Sequence, residues 1–285
     1  MIGAMQVLPF LDVVAKFLGQ QNVPIIQIVW ARLLFGMLMT APFVLQSEGV
    51  AGLWPRRPFM HAFRAVLLIT TTGLFFWALK FQGIAETLAI FFVQPLVITL
   101  LSPFVLGENV GIRRWMAVAV GFLGTLIIIR PGFQSITPGV LMALGSGASI
   151  AIYMLLTRKI AADEAPVATI FHTNFAGTVF TSLAVAIFWH SPTPEQWLLF
   201  LLLGAIGTLG NYLIAHAYRL AEASLLAPLG YTEIVMAVFG GWYFFGDFPD
   251  FWTFVGVAIL ISCAIYISYR ERVRKVIRTE PGEFL

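Results

Sequence analysis

Ten apolar runs of about twenty residues, set apart by short polar links, constrain this chain more than any other feature. A helix of that length is what a hydrocarbon core of ~30 Å requires of a spanning segment. The runs lie near residues 2–18, 25–45, 59–79, 85–105, 111–129, 138–158, 166–188, 196–217, 223–245 and 250–269. The links QQNVP, GLWPRRP, GENVG, RPGFQSITPG, DEAP, HSPTPEQ and GDFPD are too short for a soluble domain and carry the Pro, Gly and Asn that end helices. A spanning segment must satisfy its backbone polar groups internally, and runs of this length do so as helices. The sequence therefore predicts an all-α membrane protein with ten transmembrane helices. Composition agrees, because 59% hydrophobic and 11% charged residues, against about a quarter charged in soluble domains, cannot cover a water-facing surface.

Charge placement predicts the orientation. Arg56, Arg57, Arg64, Arg113, Arg114, Arg158, Lys159, Arg219, Arg270, Arg272, Arg274, Lys275 and Arg278 fall on one side, while only Lys80 and Arg130 fall on the other. Basic residues near span ends are held in the cytoplasm, so both termini are expected there. Trp54, Trp115, Trp189, Trp197, Trp242 and Trp252 sit near span ends, as an interfacial aromatic belt requires. The net charge of +3 is then a footprint of topology and does not indicate nucleic acid. The first apolar run lacks a basic leader and a small-residue cleavage site, which predicts a retained helix. The single cysteine, Cys263, lies within an apolar run and offers neither a disulfide framework nor a thiolate metal site.

The chain appears twice over. Aligned through Gly107-Glu108 and Gly246-Asp247, the stretches Ile84 to Glu108 and Ala223 to Asp247 place Gln94 opposite Glu233 and Lys80 opposite Arg219. Trp115 and Trp252 follow each Gly-acid pair, and Arg130-Pro131-Gly132 closes the first half. Five spans per half make the repeat inverted, with residues 1–132 and 133–270 as the halves and 271–285 as a cytoplasmic basic tail. Inverted repeats are a common construction of secondary transporters, which bind substrate near the midplane where the halves meet. Gly121, Gly124, Gly145 to Ser149, Gly204, Gly207, Gly210, Gly240 and Gly241 would let helices approach closely.

These features together, ten spans in 285 residues, an internal duplication, Gly107-Glu108 after the fourth span and Gly246-Asp247 after the ninth, resemble the EamA family of the drug/metabolite transporter superfamily. Asp247 stands where that family more often has Glu. Leu11-Asp12 to Lys16, followed by Ile28 to Arg32, is similar to a bacterial subgroup of S-adenosylmethionine- and riboflavin-type uptake carriers. The resemblance implies a carrier in the bacterial inner membrane, without cofactor, moving amino-acid, nucleoside-like or vitamin-like metabolites through a central cavity. A coupling proton or counter-substrate, and a monomer or homodimer, are compatible with it.

Polar groups inside spans supply the candidate site, because charge at that depth is expensive. Glu233 is about eleven residues from each end of its span, ~16 Å from either interface at 1.5 Å per residue, too deep for its side chain to reach water. Gln94 sits at the mirrored depth in the other half. Asp12 and Lys16 are one helical turn apart and are expected either to neutralise each other or to meet a charged substrate. Arg32, ~10 Å from the outer interface, either reaches outward, pairs with Asp12, or holds a substrate carboxylate or phosphate with its planar fork. Trp30, Trp77, Tyr153 and Tyr231 are candidates for stacking on a planar ligand, with packing as the plainer role. Asn174 and Asn211 are candidate polar contacts, and His172 and His216 candidate gate or proton-relay groups near the inner ends of their spans. No pair of histidines has helical metal-ligand spacing beside a carboxylate. The basic run Arg270 to Arg278 is a candidate contact for anionic lipid headgroups.

An enzyme would need a nucleophile, a metal cluster or paired carboxylates deep in the bundle, and the sequence displays no HExxH, G-x-S-x-G or such pairing. A passive channel or a lipid flippase of the same architecture stays open beside the carrier.

Overall fold

The structure is a computed structural model that describes residues 1–107, 112–129, 137–160, 164–220 and 232–279. Among the described residues every regular element is helical. In chain order these are α1 (Ile2–Gln20), α2 (Ile25–Glu48), α3 (Pro58–Ala78), α4 (Ile84–Phe91), α5 (Gln94–Leu106), α6 (Ile112–Ile129), α7 (Pro138–Ile160), α8 (Pro166–Val185), α9 (Pro194–Leu220), α10 (Glu233–Phe245) and α11 (Phe251–Thr279), with a 3-10 turn at Val50–Leu53. Among the described residues six spans are long and apolar enough to cross a membrane by length and composition, with α4 and α5 counting together as Ile84–Val105.

Proline opens α3, α7, α8 and α9, where its missing N–H costs nothing and its fixed φ suits the first turn. Gly107 and Gly246 end α5 and α10 in the left-handed conformation, at φ 69° and 73°, so the Gly-acid pairs that align the two halves make the same helix stop. Many hydroxyls within the spans, among them Thr40, Thr87, Thr99, Thr173, Thr178 and Thr181, donate to carbonyls three or four residues back, which satisfies them without water. The basic run does not leave the last helix: α11 continues to Thr279.

The expected fourth span is two helices. Pro95 has no N–H for the Phe91 carbonyl four residues back, so the ladder breaks between Phe91 and Gln94. That carbonyl packs on α7 at Gly147, where a Cβ would lie 2.7 Å from the Phe91 oxygen. Glycine is required there by space, and the break is thereby keyed to its neighbour.

The helices neighbour one another in a regular pattern: α2 with α8, α3 with α7, α1 with α9, α2 with α9, α3 with α8, α1 with α10, α4 and α5 with α7, α4 with α10, and α6 with α11. Exchanging each span with the one five places on returns the same pairings, with α1·α9 becoming α7·α3 and α2·α9 becoming α8·α3. Glycines sit at the crossings. A Cβ on Gly256 would meet the Gly124 carbonyl at 2.7 Å, and one on Gly204 would press on the Phe35 and Gly36 backbone. The shared core runs through Leu11, Leu18, Ile28, Leu33, Ile84, Leu88, Phe200 and Leu203. Outward faces carry Phe63, Phe104, Leu183, Ile187 and Leu198, exposed to an extent that water would penalise and lipid does not.

Candidate functional site

Three charged side chains from three different spans converge inside the bundle. Asp12 of α1 is buried, at 8% exposure, and lies close enough to Arg32 of α2 and Glu233 of α10 for their charges to act on one another. Arg32 donates from Nη1 to Thr72 Oγ1 of α3 at 2.7 Å. Its side chain passes Gly207 of α9, where a Cβ would stand in ordinary contact with Nε at 3.6 Å. Tyr153 of α7 also acts on Arg32 electrostatically. Gln6, two turns before Asp12, donates from Nε2 to the Thr232 carbonyl at 3.0 Å and ties α1 to the start of α10, where Glu233 is the first helical residue. The reading of no paired carboxylates is corrected here, since the fold brings Asp12 and Glu233 from opposite ends of the chain to one place. The group holds two carboxyls and one guanidinium, with Asp12 the residue that both others act on, and such a set suits a cationic group or a proton.

Gln94 is the first residue of α5, at the break in the fourth span, and donates from Nε2 to Met154 Sδ at 2.8 Å. Thioether sulfur is a weak acceptor, so this amide is readily given to another partner. Gln94 and Glu233 are thus each the first residue of a helix.

Lys16 corrects the expected ion pair. It does not neutralise Asp12: its ammonium bonds Asp247 Oδ2 just after α10, approaches the Gln82 carbonyl at 3.5 Å, and lies 4.9 Å from the centre of the Phe245 ring. Being one turn nearer the end of α1 than Asp12, Lys16 reaches sideways to a neighbouring helix end, and Asp12 is left to Arg32. Lys16 ties the end of α1 to the loop before α4 and to the end of α10.

A family model, that of the EamA-like transporter family, matches residues 1–130 and 137–269. The chain belongs to that family. An S-adenosylmethionine uptake transporter of Rickettsia bellii is 28% identical over 261 residues, covering 92% of this chain and 89% of that protein. A riboflavin transporter of Rhizobium johnstonii is 31% identical over 247 residues, 85% of this chain and 80% of the other. A riboflavin transporter of Vibrio cholerae is 29% identical over 213 residues, covering 74% and 72%. A solved crystal structure superposes with TM-score 0.66 over 94% of this chain and 96% of its own, at 19% identity, which speaks to the fold alone. The family and these relatives are transporters and not enzymes, and this EamA protein is a multi-pass membrane protein.

The remaining candidates of this EamA transporter are spread over the bundle. Trp30 donates to Ser182 Oγ at 2.9 Å and packs edge-on against Trp189 and Trp197 in an aromatic cluster near the ends of α2 and α9. Trp77 is 48% exposed on the outer surface of α3. Asn174 is buried against Gly36, where a Cβ would lie 2.8 Å from its Nδ2. Asn211 is half-buried on α9, and His216 is exposed and stacks on Tyr212 with ring centres 6.1 Å apart. Tyr231, the side chains of the basic run and residues 130–132 lie outside the described residues. His172 is buried beside two residues not singled out from sequence, His61 of α3 and Glu164 before α8. Arg64, expected at the membrane surface, is 1% exposed and donates to Tyr153 Oη at 3.1 Å and Thr157 Oγ1 at 3.2 Å, with its guanidinium 4.8 Å from the Tyr153 ring centre. Its signal was its position seven residues into the helix, about the same depth that singled out Arg32.

Proposed function

We propose that this chain is a secondary-active carrier that takes up a small organic metabolite of the amino-acid, nucleoside-like or vitamin-like class across the bacterial inner membrane. Residues 1–132 and 133–270 are read as two inverted halves with both termini cytoplasmic, alternating access to one central site. The observation that carries the reading is the convergence of Asp12, Arg32 and Glu233 from three spans drawn from both family-matched stretches. The span pairings that survive exchange of the halves, and the identical helix stops at Gly107 and Gly246, support the duplication. Relatives named as an S-adenosylmethionine uptake transporter and a riboflavin transporter support a metabolite of that size, and the first of these names supports an inward direction.

In this reading Asp12 and Glu233 receive a cationic or hydrogen-bond-donating part of the substrate or exchange it for a proton, Arg32 holds an anionic part, and Gln94 turns its amide from Met154 to the ligand. Asn174, Asn211, Trp30, Trp77, Tyr153 and Tyr231 stand as secondary contacts, His172 and His216 as gating or relay groups, and the basic tail as a contact for anionic lipid. Purified protein in proteoliposomes tests the mechanism: with a substrate found by thermal stabilisation across a metabolite library, a proton or exchange gradient drives accumulation above the external concentration. Equilibration without accumulation under every imposed gradient returns the reading to a passive channel.

A further inference from the structure

Where the α2–α3 turn meets α8, three buried polar side chains are short of one hydrogen. His172 is 5% exposed and its Nε2 donates to the Gly52 carbonyl at 2.9 Å, so its Nδ1 carries a bare lone pair, which has no partner. His61, at 1%, takes Arg64 Nη1 on its Nδ1 at 3.2 Å; a guanidinium only donates, so His61 carries its hydrogen on Nε2. That Nε2 stands 2.8 Å from Glu164 Oε2, at an angle that leaves it without a proper acceptor, and Glu164 Oε1 has no partner at all. The two imidazole rings are 5.0 Å apart, and one polar side-chain atom from each of the three residues lies within 4.8 Å of the other two. One donor therefore faces two vacant acceptors in a buried pocket, an arrangement that a single added proton balances.

We infer that His61, Glu164 and His172 form a proton-binding site. The proton enters on His172 Nδ1, which then donates to the Glu164 carboxylate, and no bond other than this N–H is made. The resulting pair closes on Glu164, just before α8, while His172 Nε2 stays on the α2–α3 turn, so the proton adds a bond beside the contact that already joins the two family-matched stretches. The cytoplasmic sidedness rests on the orientation in the proposed function; proton binding itself does not. The opposite end of the α2–α8 seam is closed by Gln27, which exchanges two hydrogen bonds with the backbone of His190, at 2.8 and 3.1 Å, and cannot titrate. Only one end of the seam responds to pH.

The surrounding charges are Arg64, with Tyr153 and Thr157 of α7 as its other partners, Thr169 of α8, which donates to Glu164 Oε2 at 3.3 Å, Arg57 and Arg158, which have partners of their own, and the exposed Glu48 at the end of α2. Arg64 also decides against a divalent metal. It holds His61 in the tautomer whose Nε2 has no lone pair, and two protein ligands beside a fixed guanidinium fall short of the three or four that hold zinc.

Glu164→Gln tests the proposal, because its amide N–H supplies to His172 Nδ1 the hydrogen that the proton otherwise brings. In full-length protein in nanodiscs, the variant is expected to melt a few degrees above wild type at about pH 8, the gap closing toward about pH 5.5 as the wild type takes up its proton. A pH-independent gap overturns the proposal. Independently, in ¹⁵N-histidine-labelled wild type, His172 is expected to pass from the Nε2–H tautomer to the doubly protonated ring over that range; a single tautomer throughout overturns it, whether or not the variant folds. Stoichiometric Zn²⁺ that stabilises wild type but not His172→Gln also overturns it, in favour of a metal site. Failure of transport in proteoliposomes leaves these measurements intact and bears on the carrier reading alone.

Discussion

Glu233 illustrates why a single residue in this protein carries functional weight. A charge at mid-span costs roughly 2.5–3.5 kcal/mol on insertion scales, so an apolar residue would serve a purely structural role better. Its neighbour Asp12 adds like-charge repulsion, while Arg32 acts on Asp12. Glu233→Gln preserves shape and hydrogen bonding but removes the titrating group, so uptake is expected to fall at least about tenfold, the equivalent of 1.4 kcal/mol, and to lose its pH dependence, both read by initial rates across pH. Normal transport with an unchanged pH profile would falsify the functional role of Glu233. Lys16 and Asp247 make a second, local prediction. Lys16→Gln and Asp247→Asn each break the same ion pair, so in a double-mutant cycle their effects on uptake rate are expected to be non-additive, with the double variant no worse than the more severe single one. Additive losses would show that the two act independently.

At the scale of elements, the broken fourth span is where local sequence and packing meet. Pro95 frees the Phe91 carbonyl, and Gly147 on α7 leaves that carbonyl its room. Gly147→Ala forces a Cβ against backbone, which has no rotamer to yield, so it is expected to destabilise the protein by ~1–3 kcal/mol, as overpacking does, and to lower the melting temperature measured in detergent. Restoration of stability by Pro95→Ala in the same chain would show that the kink and the glycine answer each other. An unchanged melting temperature in the single variant would mean that α4 and α5 move apart freely, and that the break is not fixed by α7.

For the whole molecule the sharpest expectation is orientation. Thirteen basic residues against two lead us to expect both termini in the cytoplasm. With Cys263 replaced by serine, a cysteine introduced at Arg272 is expected to react with a membrane-impermeant maleimide only after the cells are opened. Labelling in intact cells would reverse the topology, and with it the direction in which the seam at His172 faces.

Helix number and placement were legible from the chain alone because a bilayer allows a spanning segment few choices: run length, flanking proline and the Gly-acid stops at Gly107 and Gly246 each act within one helix. Glu233, Gln94, Asp12 and Arg32 could be singled out for the same reason, since depth along a helix follows from counting residues. Partners could not, because they come from other helices. Depth left Asp12 equally open to Lys16 and to Arg32, and only the packing of α1 against α10 sends Lys16 to Asp247. His61 lies far in sequence from Glu164 and His172, and no motif joins the three; what brings them together is the seating of α8 against α2 and α3, decided by side-chain fit over the whole bundle.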